Sequence, residues 1–190
     1  VVAKSGGAAY DPAKDSWRDL PSIDLEQTGG YGLDRVVMAG DEVVAVTFGG
    51  EDDPFTKLWK LTDDSWVEYG ALALVGNQNW DAVGTPDGVA VWSPTDGTTY
   101  MFRDGGVSSV SAPPLPDGAS LIGPVRLAMG AAGLTAVSTV GFAEQSRNAM
   151  VVNTLESTGW STPAEYSSSG FASFPRAIPV GGDIVMTGPT

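Results

Sequence analysis

Four stretches of this chain align on one another without a gap: DRVVMAGDEVVAVTFGG from Asp34, WDAVGTPDGVAVWSPTDG from Trp80, VRLAMGAAGLTAVSTVG from Val125 and PRAIPVGGDIVMTGPT from Pro175. Arg35, Asp81, Arg126 and Arg176 share one position. Seven residues later stand Glu42, Gly88, Gly133 and Asp183, followed by apolar runs that begin at Val43, Val89, Leu134 and Ile184. Two short apolar runs around a Gly/Asp/Pro-rich reversal predict a β-hairpin, because such residues tolerate the positive φ that a tight turn demands. An internal period limits the fold more than any local propensity, since each copy must bury its flanks against its siblings.

Between the hairpins a second motif recurs: YDPAKDSW at 10–17, WKLTDDSW at 59–66, YMFRDGGV at 100–107 and, more loosely, NTLESTGW at 153–160. Trp17, Trp66 and Trp160 follow the turn, and Val107 replaces the Trp once. Hairpin starts lie 46, 45 and 50 residues apart, so one unit of four antiparallel strands takes about 45 residues, the range of propeller blades. With Gly 25, Pro 13 and no helical period held for three turns, the chain reads as all-β. The expected fold is a β-propeller of four-stranded antiparallel blades, four repeats in one domain over 1–190. The recurring Trp then fills the gap between twisted sheets near the rim. The residues after Ile184 and those up to Trp17 together match the 23 residues from Val43 to Trp66. N-terminal outer strands (1–21) and C-terminal inner strands (171–190) are therefore expected to share one blade and close a four-bladed ring; the alternative is an arc of a larger propeller.

GGAAYDPAKDSWRDLP and VVAVTFGGEDDPFTKLWKLTDDSWVEY resemble kelch repeats, with Gly49 and Gly50 ending a strand and a D-x-x-x-x-W turn following. The third and fourth repeats lack the double glycine. The resemblance implies a propeller that recognises partners through loops at one face. It also brings to mind galactose oxidase-like copper enzymes, whose sites need His and a Tyr cross-linked to Cys; these 190 residues contain neither His nor Cys. SPTDGTTY at 93–100 is similar to the Asp-box of sialidases, but Thr95 stands where that family has its carboxylate, and the stretch is expected to be a structural turn.

Composition narrows the chemistry further. Without His or Cys there is no Ser-His or Cys-His nucleophile pair and no ordinary zinc or copper site, so no metal or cofactor is expected. A net charge of −13 repels nucleic acid and anionic membrane faces. No apolar run approaches 18 residues, and VVAKSGG lacks a signal-peptide pattern; membrane insertion is not expected, and any leader is missing from this sequence. Glu51-Asp52-Asp53 has no alternating ligand spacing and reads as a solvated loop.

The shared position places Arg35, Asp81, Arg126 and Arg176 at one level of the central channel, with Trp80 and Tyr31 at its mouth. Guanidiniums converging there would form an anion site; alternatively they bind carbonyls or an acidic neighbour such as Asp34 or Asp81 and tie adjacent blades together. The expected function is a non-catalytic binding module for a protein or carbohydrate partner, secreted or on the surface of a bacterial cell. One alternative is a sialidase-like glycan hydrolase that uses the arginines for a substrate carboxylate and Asp81, Glu42 or another acid with Tyr31. Another is a structural component of a surface assembly.

Overall fold

A computed structural model describes residues 4–5, 8–24, 35–48, 55–63, 65–73, 80–167, 176–180 and 183–187. The described residues are all-β apart from one 3-10 turn, Ala143–Gln145. Strand β1 (Lys4–Ser5) pairs with β4 (Ile23–Asp24), and between them β2 (Ala8–Asp11) and β3 (Ser16–Asp19) form a hairpin. A first four-stranded antiparallel sheet follows in chain order: β5 (Arg35–Ala39), β6 (Glu42–Thr47), β7 (Phe55–Leu61) and β8 (Trp66–Ala73). A second has the same order: β9 (Asp81–Thr85), β10 (Gly88–Ser93), β11 (Thr98–Arg103) and β12 (Gly106–Val110). The third comprises β13 (Ala119–Leu121), β14 (Arg126–Gly130), β15 (Gly133–Phe142), β16 (Arg147–Glu156), β17 (Gly159–Trp160) and β18 (Ala164–Ser167). Strands β19 (Arg176–Val180) and β20 (Asp183–Thr187) form a last hairpin.

The four aligned stretches have one register. Arg35 pairs with Val46, Asp81 with Trp92, Arg126 with Val137 and Arg176 with Thr187, and each hairpin turns over two residues. Two-residue turns need unusual backbone angles, and Gly40 supplies one at φ +57°. Its N–H donates to the Thr85 carbonyl at 2.9 Å, and a Cβ there would lie 2.8 Å from the Pro86 carbonyl oxygen, so this turn is also a contact between sheets.

The core lies between sheets, because alternate residues of a strand face opposite sides. Val44, Val46 and Leu58 of the first sheet meet Ala82, Val89, Val91 and Phe102 of the second. From the second sheet's other face, Ala90, Trp92 and Met101 meet Leu127, Leu134 and Ala136 of the third. Each such side chain, fully buried, contributes about 1.5–3 kcal/mol. First strands stand side by side: β5 beside β9, β9 beside β14, β14 beside β19. No comparable packing of β19 on β5 is present among the described residues.

The third sheet departs from the four-strand plan. The run LTAVSTVGF carries no turn residue, so β15 continues to Phe142, past the end of β14. β13 pairs with this extension, and Val140, Phe142, Ala149 and Val151 build a small separate core with Leu115 and Ala119.

Candidate functional site

Two ends of the sheet stack differ sharply. At one end lie the two-residue turns after β5, β9 and β14 and the short turns that follow β7, β11 and β16. At the other end the first strands begin, and the segments that join one sheet to the next, such as 111–125, attach there. Long connections tolerate variation and so are where recognition residues collect.

Arg35, Asp81 and Arg126 lie at this loop end, each opening its strand. Asp81 is buried and forms an ion pair with Arg35. Its Oδ2 accepts a hydrogen bond from the Leu127 N–H at 2.6 Å, and Arg35 also donates to the Ala82 carbonyl at 3.2 Å. One carboxylate thus joins β5, β9 and β14. Burial pushes the Asp81 carboxyl up, whereas Arg35, the Leu127 N–H, Arg126 and the Ala82 backbone pull it down. The net direction is upward despite the ion pair, because burial acts on the whole charge while Arg35 is partly exposed and screened by water.

Trp80 is buried beside this pair, its ring 5.3 Å from that of Phe48, and its indole N–H has no hydrogen-bond partner among the described residues. Arg176 opens β19 in the shared register; its side chain, like Tyr31, Asp34 and Glu51–Asp53, lies outside the described residues. Glu42 stands at the opposite end of β5, paired with Lys60. The length of that strand, about 13 Å, keeps Glu42 from Asp81, more than any two-carboxylate glycosidase geometry spans. Among the described residues no group of three acids gathers to hold a metal ion.

The Asp-box-like stretch is a turn. Asp96 accepts from the Thr98 N–H at 3.1 Å and from the Tyr100 hydroxyl at 2.5 Å. Burial raises the Asp96 carboxyl, but hydrogen bonds from Tyr100, Ser93 and Thr98 outweigh it and hold it below its ordinary value.

The recurring Trp residues differ in environment. The Trp66 indole N–H donates to the Pro21 carbonyl at 2.7 Å, and its ring packs with Ile23, Ala45 and Trp59. Trp160 donates to the Ser111 carbonyl at 2.9 Å. Both acceptors lie just beyond an outer strand of the preceding unit, β3 or β12. Trp17, by contrast, is 71% exposed and touches Tyr10.

Two concave places escaped the sequence reading. At the loop end, a cavity of about 260 Å³ is lined by Ser120, Ile122, Phe142, Arg147 and Asn148, with the Arg147 guanidinium 3.7 Å over the Phe142 ring. At the turn end, one of about 800 Å³ lies between the first two sheets, lined by Asp41, Glu42, Lys60, Tyr69, Arg103 and Asp104. Their residues come from three or more separate strands and turns, so no local motif marks them; only the break in repeat length after β12 points to the first.

No protein-family model matches the chain, and no curated protein matches it.

Proposed function

We propose that the chain is a kelch-like propeller arc acting as a non-catalytic binding module, exported by a bacterium, that engages a protein or carbohydrate partner through its loop end. The observation that carries this reading is the state of Asp81, the best-placed acid of the set. Its lone pairs are committed to Arg35 and to the Leu127 N–H, which makes it a stitch between sheets. The common register of four hairpins, the row of first strands and the two Trp-to-carbonyl bonds reaching back one unit support the propeller reading. The Ser120–Asn148 cavity, beside exposed Leu121 and Ile122, supplies polar donors next to an apolar floor, a combination suited to a sugar ring.

A glycan array probed with the chain, and with its Asn148→Ala and Ile122→Ala variants, tests the binding role: retention weakened by either substitution is expected. A fluorogenic glycoside panel from acidic to neutral pH tests the other side. Turnover that Asp81→Asn abolishes would overturn the reading and favour the hydrolase.

A further inference from the structure

The repeat shows which faces should be covered, and two are not. Second positions of the first strands face the preceding sheet: Ala82 and Leu127 are 2% and 4% exposed there, but Val36 is 49% exposed. Met38, on the same face, is 56% exposed. Only the outer half of this face is covered, by Ile23 over Ala45, Trp59 and Trp66. At the far end of the row the opposite face is bare. Val180 and Val185 correspond to Ala39 and Val44, which are buried against the next sheet, yet they are 53% and 42% exposed.

The edges show the same deficit. Among the described residues β2 pairs only with β3, and β20 only with β19, while the sheets between them have four strands or more. The first place thus has outer strands without an inner hairpin, and the last has an inner hairpin without outer strands. Both are complementary in register, face and apolar character. Within one chain, β19 packs on β14 and has no comparable packing on β5 among the described residues.

We infer that a second copy of this chain fills the gap: its β19–β20 hairpin seats Val180 and Val185 on Val36 and Met38, and the free edge of its β20 pairs with β2. The contact is head-to-tail, and two of them close a two-fold ring with no exposed strand edge. It repeats the β5–β9 interface already present, with a different chain supplying the first strand. This inference rests on the propeller reading of the repeat and is independent of what the loop end binds.

The chain has no cysteine, so single cysteines report cleanly. Oxidising a mixture of Met38→Cys and Val180→Cys chains should give a disulfide-linked pair of twice the chain mass, in greater yield than either variant alone. Light scattering should give the doubled mass for the unmodified chain, and Met38→Asp, at an exposed position, should halve it while leaving the circular dichroism melt in place. A single-chain mass at all concentrations, or a Met38→Cys/Val180→Cys double variant linked only within one chain, overturns the inference. Either result leaves the loop-end binding reading intact, which the glycan array decides by itself.

Discussion

Asp81 shows how a polar residue at a repeated position becomes a structural one. Asp81→Ala strands the buried Leu127 N–H, at a cost of about 2 kcal/mol; Arg35, partly exposed, recovers water and adds little. Asp81→Asn keeps an oxygen for that N–H and should lie within about 1 kcal/mol of the parent at pH 7. A carboxyl whose folded pKa is raised binds more protons folded than unfolded, so its contribution to stability falls as pH rises from the ordinary carboxylate value through the raised one. Urea melts across pH 4 to 7 should therefore show Asn gaining on Asp as pH rises. Gly84 is the second such residue: a Cβ there would run into the Met38 carbonyl, a backbone atom that cannot step aside. Gly84→Ala should cost about 3 kcal/mol by forcing β9 from β5, measured as a lowered urea midpoint. The sequence marked Asp81 as one of a set with Arg35 and Arg126, since all share a place in the repeat. It did not choose between an anion site and an ion pair, because that depends on which neighbouring strand lies within reach. Gly84 carried no mark, since close approach of two backbones leaves no side chain to read.

At the level of strands and turns, the hairpins were the most legible part. Turn chemistry and alternating apolar residues agree there, and all four registers follow from the alignment. The third sheet was less so, because β15 runs on through Phe142 and recruits β13, a strand outside the repeated pattern. The Trp after the turn was legible as bulk between sheets, and two of three serve so. Its second task, donating to a backbone carbonyl of the unit before, was not, since Pro21 and Ser111 accept through backbone groups that any residue provides. Trp66→Phe and Trp160→Phe keep most of the ring and lose the bond. Each should lower stability by about 1 kcal/mol in thermal or urea melts. Trp17→Phe, at an exposed position with no such bond printed by the fold, should change stability by less than about 0.5 kcal/mol.

For the molecule as a whole, the all-β class and the stacking of antiparallel sheets were legible from period and composition. Closure was not: whether a stack of repeats meets itself depends on small rotations between neighbours, which no single residue encodes. The same stacking governs how the chain comes apart. The second sheet, 81–110, is covered on both faces, with every residue of β10 buried, whereas the first and last units each leave one flank open. Cooperativity in such a quasi-linear array is passed from neighbour to neighbour, so opening should start at the outer units and reach the middle last. Native-state deuterium uptake should accordingly be slowest at the β10 amides and faster in β5 and β19, with an intermediate that retains the central layers while its flanks have already frayed.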